Sequence, residues 1–263
     1  MALIAMAVYD TVENKRTSLT ALTLECLANT VDFSKHRLII VDNDSCHSTL
    51  TVLWEFIKNI DKDKINNRVA LIQPRKNLGT AEAINQAWKF RLPEENAIKM
   101  DNDVIIHSKG WIEDMEATIA RDPQIGQVGL KRKDCWENPD HKDPFYKSTL
   151  SFLPHSPGES WIPVEEVNHV MGTCVMHSAK LLNTIGYLYQ PKLYGFDDSF
   201  MSLRSKLAGF RNVFLPYINI DHIDTDPNEY QKWKEKHAAS CWQEYHKIVE
   251  EYRTGKRPLY YEP

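Results

Sequence analysis

Short apolar runs alternate along the chain with longer stretches in which apolar residues recur every three or four positions. The runs occupy 2–8, 37–42, 68–73, 97–101 and 125–130. The helix-like stretches lie around 16–29, 48–60, 80–91 and 110–120. Such β-α repetition is typical of parallel strands joined by crossover helices that cover the faces of the sheet. The pattern therefore predicts an α/β fold with a mostly parallel central sheet and helices on both faces.

The later part of the chain departs from this regular alternation. Residues 133–163 are rich in Pro, His and aromatic side chains and are too long for a simple connection, so they predict an ordered insertion or a mobile flap. The elements expected beyond them are a strand over 169–177, a short helix from Ser178, a helix after 195–200, a strand over 212–224 and a last helix over 227–252. The tail, 254–263, is expected to be loosely held.

Polar residues gather where several predicted strands end. Tyr9 and Asp10 follow the first strand, residues 42–45 follow the second, and Asp101 and Asp103 follow the fourth. In open α/β sheets, ligands bind outside the carboxyl ends of the strands. Asp101 and Asp103 are two positions apart, so their carboxylates face the same side of an extended strand. A hard divalent cation between them would relieve their repulsion.

The composition is that of an ordinary globular protein, and its charge leaves only a local patch as a means of attracting nucleic acid or an anionic membrane. With a net charge of −4 and a pI near 6.2, the 263-residue chain has no overall attraction for nucleic acid or for an anionic membrane. Its five cysteines are far apart and odd in number, which argues against a disulfide framework or a zinc cluster and favours the cytoplasm. The apolar opening is too short for a signal peptide, and no run approaches the roughly 18 residues of a membrane span.

Two loop motifs of the first half have both a structural and a functional interpretation. Residues 74–85 place Gly79 at a strand-to-helix turn with Thr80 as a plausible N-cap. A helix N-terminus there could support a phosphate, although neither G-x-G-x-x-G nor a P-loop is present. Residues 41–45 (VDNDS) could bind a ligand or could simply form a turn in which Asp and Ser side chains bond nearby backbone.

Two acidic motifs of the second half are equally open when each is taken alone. Residues 195–200 (GFDDSF) place two carboxylates at a probable helix start, where capping explains one aspartate well and the second less well. His222, flanked by Asp221 and Asp224 at a strand end, could be a solvated surface histidine. A neutral imidazole is also a good ligand for Mn²⁺ when carboxylates supply the rest.

The order of these motifs along the chain is more specific than any one of them. The segments are VYD at 8–10, VDNDS at 41–45, NLGTAEAIN at 77–85, DND at 101–103, MGTCVM at 171–176, GFDDSF at 195–200 and DHID at 221–224. Together they resemble the family 2 glycosyltransferases of the GT-A fold, over roughly residues 2–225. The resemblance implies a Rossmann-like nucleotide-binding half beside an acceptor-binding half. It also implies a nucleotide-diphospho-sugar donor such as a UDP-sugar, a divalent metal (Mn²⁺ or Mg²⁺) and inversion at the anomeric carbon.

The resemblance implies a role for each residue of the donor and metal sites. Asp42 matches the aspartate that usually accepts the uracil N3–H, and Tyr9 lines the same pocket. Asp101 matches the carboxylate near the donor ribose and sugar. Asp103 matches the metal ligand that bridges to the diphosphate, and His222 falls where many members have a metal-binding histidine. The donor-binding set implied by the same motifs also contains Ser45, Asn77 and Gly79.

The resemblance also implies the catalytic residues. Asp198 matches the catalytic base of the acidic motif, and Asp197 is its neighbour. The chain departs from the family in one respect, because the Q-x-x-R-W segment typical of processive polymer synthases is absent and MSLRSKLAGF follows GFDDSF. This departure favours the transfer of one sugar to an acceptor hydroxyl.

The domain organisation and the acceptor follow from the same interpretation. The expected units are a single GT-A domain over 1–226, with a nucleotide-sugar-binding half over 1–130 and an acceptor and catalytic half over 131–226, and a C-terminal helix and tail over 227–263. The acceptor is expected to be a carbohydrate or another hydroxyl-bearing molecule. The residues that could stack on it are Trp136, His155 and Trp161. Basic residues at 131–133 could instead serve an anionic acceptor, even modified DNA, although three such residues more often form a solvated loop.

Other functions remain open on the sequence alone. A nucleotidyltransferase also builds Asp-x-Asp metal sites at strand ends, but it usually needs a second metal and a Gly-rich phosphate loop, which the amino-terminal residues lack. A non-catalytic module that binds a nucleotide sugar has no need of a base, so Asp198 together with Asp103 argues against it. The plainest alternative is a globular α/β protein whose acidic clusters only form turns.

Overall fold

The computed structural model describes residues 1–61, 68–136, 148–154, 160–224 and 229–263. Its strands are β1 (Ala2–Val8), β2 (Arg37–Asp42), β3 (Val69–Ile72), β4 (Asn96–Met100), β5 (Val104–Ile106), β6 (Ile125–Arg132), β7 (Ser148–Phe152), β8 (Pro163–Val167), β9 (Cys174–His177) and β10 (Arg211–His222). Its helices are α1 (Thr17–Thr30), α2 (His47–Asp61), α3 (Thr80–Trp88), α4 (Trp111–Arg121), α5 (Lys133–Trp136), α6 (Ala179–Ile185), α7 (Asp197–Leu207) and α8 (Glu229–Arg253).

The central sheet is parallel at one side and mixed at the other. Its strand order is β3-β2-β1-β4-β9-β6-β10-β8-β7, with β5 pairing to β10. The first four strands of that order run parallel, and β9 lies antiparallel between β4 and β6. Val8 pairs with Asp42, and Met6 pairs with Met100, so the chain leaves β1, β2 and β4 at the same end of the sheet. The predicted α/β fold with a mostly parallel core is thus confirmed.

Alternate residues of β1 enter two hydrophobic cores, one on each face of the sheet. Ile4 and Met6 belong to a cluster that includes apolar side chains of α1, α2 and α4. Leu3 and Ala5 belong to another cluster, with side chains of α3 and α6. Because both faces are covered, the strand is a continuous apolar run rather than an alternating one. This packing fixes the strand ends at which the polar residues lie.

Several elements differ from the prediction. β9 begins at Cys174 rather than at 169, because residues 172–173 form a turn. The strand β5 was not predicted, since three residues carry too little pattern, and its pairing with β10 supplies the missing stabilisation. Within the described part of 133–163, the chain forms α5 and the antiparallel β7–β8 pair at the sheet edge. Residues 137–147 and 155–159 of that segment lie outside the described residues.

The chain end after α8 is bound to the body of the fold, so the expectation of a loosely held tail was wrong. The Tyr187 N–H donates to the Tyr261 carbonyl at 2.7 Å, and the Tyr261 N–H donates to the Ile185 carbonyl at 2.9 Å. The buried Arg204 donates through Nε to the Leu259 carbonyl at 2.8 Å. A polar composition with Gly and Pro does not reveal such pairing, because the partners are distant in sequence.

Two further expectations concern membrane spans and cysteines. None of the described helices combines the length and the apolar character that a bilayer crossing requires. The cysteines whose side chains are described are free, namely Cys26, Cys46, Cys174 and Cys241.

Candidate active site

A cavity of about 960 Å³ opens at the carboxyl ends of the parallel strands. Its walls come from residues that follow β1 and β4, from 169–173, from the loop before α7, from the end of β10 and from the first turns of α8. The predicted site residues that line it are Tyr9, Asp101, Asp103, Asp197, Asp198 and His222. The fold therefore brings predicted residues from both halves of the chain into one space.

The other predicted donor residues, Asp42, Ser45, Asn77 and Gly79, are not among the described residues that line this cavity. Asp42 Oδ1 accepts a hydrogen bond from the Ser45 N–H at 2.9 Å, as the turn interpretation predicts. Asn77 Oδ1 accepts hydrogen bonds from the Gly79 N–H at 2.8 Å and from Asn43 Nδ2 at 2.9 Å. Asn43 itself lines the cavity, so these turns support its wall from behind.

Asp103 is the more enclosed of the two carboxylates that follow β4. Its side chain is 3% exposed, and its Oδ2 lies 2.8 Å from Arg16 Nη2 and 3.3 Å from His222 Nε2. Burial raises the pKa of Asp103, but His222 and Arg16 lower it, and the net pKa lies below the ordinary range of an aspartate. Asp103 therefore stays ionised. Its Oδ1 and the Nδ1 of His222 are buried without a hydrogen-bond partner.

The geometry of Asp103 and His222 fits a divalent cation. Neighbouring ligands of an octahedral ion with bonds of about 2.1 Å lie about 3 Å apart. Asp103 Oδ2 and His222 Nε2 are 3.3 Å apart. The imidazole favours a transition metal such as Mn²⁺, while the carboxylate accepts either Mn²⁺ or Mg²⁺. The described residues contain no cluster of three or more His, Cys, Asp or Glu that could hold a metal, so within this part of the chain the remaining ligands would be water or a bound phosphate.

A buried lysine contacts both acidic pairs of the site, namely Asp101 with Asp103 and Asp197 with Asp198. Lys99 lies two residues before Asp101 on β4 and so points to the same side. Its Nζ is 3.7 Å from Asp101 Oδ1 and 3.1 Å from Asp197 Oδ2. Burial lowers the pKa of Lys99, but Asp197 and Asp101 raise it, and the net pKa is above the ordinary value, so the ammonium stays charged. Space for this ammonium depends on Gly172, where an added Cβ would lie 2.3 Å from Nζ.

Asp198 is held by several donors yet remains more open to the cavity than Asp197. The exposed fractions of the two side chains are 26% and 9%. Asp198 Oδ2 accepts the Gly172 N–H at 3.0 Å and lies 3.4 Å from His169 Nε2, while Oδ1 accepts the Ser199 N–H at 2.7 Å. Burial raises the pKa of Asp198, but His169 and the Gly172 N–H lower it, and the net pKa lies below the ordinary range.

The turn before α7 has an uncommon backbone conformation. Gly195 has φ of 102° and Phe196 has φ of 66°, a left-handed region that bulky side chains rarely adopt. The turn directs both Asp197 and Asp198 into the cavity. Capping and cavity lining are therefore not divided between the two residues, because Asp198 lines the cavity and also accepts the N–H of Ser199.

Comparison with known proteins decides the family. The family model described as Glycosyl transferase family 2 matches residues 11–186. The chain belongs to glycosyl transferase family 2. The matched range includes Asp101 and Asp103, whereas Asp198 and His222 follow it along the family 2 chain.

Solved structures similar to this family 2 chain are glycosyltransferases with the GT-A fold. Mannosyltransferase PcManGT from Pyrobaculum calidifontis, in complex with GDP-Man and Mn²⁺, aligns with 88% of this chain and 59% of its own, at a TM-score of 0.66 and 15% identity. GalNAc-T7 with UDP, GalNAc and Mn²⁺ aligns with 86% of this chain and 45% of its own, at a TM-score of 0.60 and 13% identity. S. aureus TarS 1–349 in complex with UDP-GlcNAc aligns with 86% of this chain and 62% of its own, at a TM-score of 0.56 and 19% identity. Identities this low show a shared fold alone.

A sequence relative is much longer than this family 2 chain. The uncharacterized protein y4gI of Sinorhizobium fredii (strain NBRC 101917 / NGR234) is 22% identical over 231 residues, which are 82% of this chain and 24% of the relative. The chain spans about a quarter of that relative and 45% to 62% of the three solved chains. The similarity therefore concerns part of each of these proteins.

Basic residues that contact the predicted aspartates of the family 2 site were missed by the sequence prediction, among them Arg16, Lys99 and His169. Arg16 is 2% exposed, and its guanidinium contacts Asp103 and Asp224 and lies 3.8 Å from Asp10. Lys99 carried a usable signal, because two acidic pairs need a cation and it shares a strand face with Asp101. Arg16 and His169 carried none, since their partners lie far along the chain.

Proposed function

We propose that the chain is a metal-dependent, inverting glycosyltransferase that moves one sugar from a UDP-sugar to an acceptor hydroxyl. The observation that carries this proposal is the single cavity lined by Asp103, His222 and Asp198 in a family 2 chain. Glycosyl transfer needs positive charge at the leaving diphosphate and a base at the acceptor hydroxyl. Asp103 and His222 are suited to hold a cation at the diphosphate, and Asp198 is suited to act as the base.

The donor is assigned to the half of the cavity formed by residues 1–130, and the acceptor to the half formed by 131–226. PcManGT holds GDP-Man, GalNAc-T7 holds UDP and GalNAc, and TarS holds UDP-GlcNAc. A nucleoside diphosphate or its sugar is common to them, and uridine occurs in two of the three, which supports a UDP-sugar. Tyr9 and Asp101 are assigned to donor contacts, and Asp42, which accepts the Ser45 N–H and directly precedes the cavity-lining Asn43, is assigned to recognition of the base. The cysteine pattern supports a cytoplasmic site for this reaction.

Asp103 and His222 would hold the cation. Two observations support this assignment: Asp103 Oδ1 is buried without a hydrogen-bond partner, and Asp103 Oδ2 lies 3.3 Å from His222 Nε2. When bound, Mn²⁺ or Mg²⁺ would act as a Lewis acid that stabilises the departing diphosphate. Arg16 holds Asp103 ionised and in place, and Lys99 offsets the repulsion among the remaining carboxylates.

Asp198 is assigned the role of general base. It is ionised, it is the more exposed member of its pair, and the Gly172 N–H and His169 orient its carboxylate. In the reaction, the acceptor oxygen forms a bond to the anomeric carbon, the bond to the diphosphate breaks, and the acceptor proton passes to Asp198. Attack opposite the leaving group inverts the configuration. The absence of Q-x-x-R-W after GFDDSF supports a single transfer.

An uncharged carbohydrate is the acceptor class that the described residues support best. The basic residues at 131–133 are paired with carboxylates: Lys131 with Glu165, Arg132 with Asp134 and Lys133 with Asp221. This pairing weakens the case for an anionic acceptor such as modified DNA. Among the aromatic residues predicted to stack on the acceptor, Trp161 packs against Phe152 and is not among the cavity-lining residues. His155 and the side chain of Trp136 lie outside the described residues.

The test is a thermal-shift screen of nucleotide sugars, each with and without Mn²⁺, followed by an assay of UDP release. A UDP-sugar at 100 times its Kd should stabilise the fold by about 2.7 kcal/mol when Mn²⁺ is present. Asp103→Asn keeps an oxygen for Arg16 but removes the charge, so it should lose the metal-dependent part of this shift. Unchanged Mn²⁺-dependent affinity for UDP in that variant would contradict the metal assignment.

The same assay separates the alternative functions. Release of UDP from the donor identifies a glycosyltransferase. Release of pyrophosphate from a nucleoside triphosphate would identify a nucleotidyltransferase. Mn²⁺-dependent binding of UDP-sugars without turnover, across a broad set of acceptors, would identify a non-catalytic binding module.

A further inference from the structure

Three aromatic rings cluster beside the cavity, and one of them, Phe196, lines it. Phe196 and Tyr245 are stacked with centroids 4.4 Å apart, and Tyr245 and Trp242 are stacked at 5.6 Å. Phe196 and Trp242 are 5.5 Å apart, so each ring contacts the other two. Phe196 lines the cavity, whereas Trp242 is 52% exposed. This aromatic platform (Phe196, Tyr245 and Trp242) therefore extends from the cavity to solvent.

Helix α8 connects the platform to the cavity wall. Lys234 and Glu235 of α8 line the cavity. Trp242 lies eight residues after Lys234 and seven after Glu235. This spacing is about two helical turns, so Trp242 lies on the same side of the helix. Lys192 Nζ donates to the Ser240 carbonyl at 2.7 Å, which ties this part of α8 to the loop before α7. The platform is thus continuous with the cavity.

Hydrophobic packing explains the positions of Phe196 and Tyr245 in the platform but not that of Trp242. Phe196 and Tyr245 pack against a hydrophobic cluster that contains Phe200 and Tyr252, so they help to attach α8 to α7. Phe196 does so with a left-handed backbone that a bulky residue rarely adopts, directly before the two aspartates of α7. Trp242 gains little from that cluster, since half of its surface stays in water.

We propose that this platform binds the second sugar unit of an uncharged oligosaccharide acceptor, whose terminal unit enters the cavity with its hydroxyl at Asp198. The assignment rests on the proposed function. One face of a pyranose ring carries C–H groups and packs on an aromatic ring, while the ring hydroxyls remain in water. Because Phe196 is two residues from Asp198, a sugar on the platform lies next to one at the base. The acceptor is therefore at least a disaccharide.

The test compares Trp242→Ala with Trp54→Ala. Trp54 is also 52% exposed, but it lies on α2 and is not among the residues that line the cavity. Wild type and both variants are applied, with UDP and Mn²⁺, to an array of uncharged glycans that ranges from monosaccharides to longer oligosaccharides. Wild type and Trp54→Ala should bind oligosaccharides better than the matching monosaccharides. Trp242→Ala should bind the same oligosaccharides about tenfold more weakly, and Trp242→Phe should recover most of that loss.

The outcomes distinguish this inference from the proposed function. Melting temperatures of Trp242→Ala and Trp54→Ala near that of wild type would exclude unfolding as the cause of a loss. Equal glycan binding by Trp242→Ala and wild type would overturn the proposal, as would equal affinity for monosaccharides and oligosaccharides. If no glycan binds while Mn²⁺-dependent binding of the UDP-sugar persists, the acceptor class is wrong and the donor assignment stands. If the UDP-sugar does not bind either, the proposed function fails as well.

Discussion

Two pairs of aspartates line the cavity, and they follow the same plan. The strand pair, Asp101 and Asp103, follows β4, and the helix pair, Asp197 and Asp198, begins α7. The first member of each pair lies beside Lys99, at 3.7 Å for Asp101 and 3.1 Å for Asp197. One buried ammonium therefore neutralises a carboxylate of both pairs, and the second member of each pair lies beside a histidine instead.

The second members differ in their surroundings, and the difference separates their proposed roles. Asp103 lies between Arg16 and His222, and its side chain is 3% exposed. Asp198 lies 3.4 Å from His169, and its side chain is 26% exposed. An enclosed, ionised carboxylate beside an imidazole is suited to hold a metal ion, whereas an open one can reach an acceptor hydroxyl. Burial and neighbouring charge thus distinguish two aspartates that the motifs alone do not.

The largest effect is expected from removing the proposed base. Asp198→Asn keeps the shape and an acceptor for the Gly172 N–H but removes basicity. It should lower kcat about 10²- to 10⁴-fold, or about 3 to 5 kcal/mol of barrier. Affinity for the UDP-sugar should stay near wild type, because the donor contacts are assigned to the other half of the cavity. Steady-state turnover and calorimetric donor binding measure the two quantities.

The matched control is the same change one residue earlier. Asp197→Asn should weaken the buried contact with Lys99 and lower stability or acceptor binding. Normal turnover in Asp198→Asn, together with a collapse in Asp197→Asn, would assign the base to Asp197 and reverse the comparison between the members of the helix pair.

The next effect tests whether Lys99 joins the two pairs. Lys99→Met keeps an unbranched stem but leaves Asp101 and Asp197 without their cation, so the free energy of unfolding should fall by about 3 kcal/mol. Urea unfolding at neutral pH measures this change. Lys35→Met is the control, because it removes an exposed lysine 3.0 Å from Asp32 and should have no measurable effect. Equal stability of the two variants would show that the pairs do not need a shared cation.

Much of the fold could be predicted because its elements have a regular pattern. β1 occupies the apolar run 2–8, and α1 and α4 begin within one residue of their predicted starts. The edge strand β7 could not be predicted, since its residues are mostly exposed and lack an apolar face. Pairing with β8 across the sheet edge, rather than local pattern, determines that it is a strand.

The site could be predicted only where a motif marks the end of a strand or the start of a helix. Asp103 and Asp198 stand in such motifs. Arg16 does not, and its contact with Asp224 joins residues 208 positions apart. Asp42 illustrates the opposite difficulty, because a carboxylate that stabilises its own turn has the same local sequence as one that faces a ligand.

A smaller effect is expected at the metal ligand of the strand pair. His222→Ala removes one of the two proposed protein ligands, so the Mn²⁺ concentration for half-maximal activity should rise about tenfold or more. A Mn²⁺ titration of turnover measures this shift. His107→Ala is the control, since it removes an exposed histidine 2.6 Å from Asp221, the residue before His222. Identical metal dependence in the two variants would leave His222 as a structural partner of Asp103.

The smallest effect is expected for stability in acid. It tests the contrast between Asp103 and Asp198 by asking whether Asp198 is ionised in the folded state. Burial raises the pKa of Asp198, but His169 and the Gly172 N–H lower it, and the net pKa lies below the ordinary 3.8. The ionised carboxylate therefore stabilises the fold above pH 3.8, and this contribution is lost as the pH falls towards the pKa of the folded state. Asp198→Asn does not titrate. The difference between its melting temperature and that of wild type should shrink in acid below about pH 5, as the wild-type carboxylate becomes protonated. Convergence already above about pH 5 would mean that the surroundings of Asp198 favour its neutral form, which would contradict an ionised Asp198 stabilised by His169 and the Gly172 N–H.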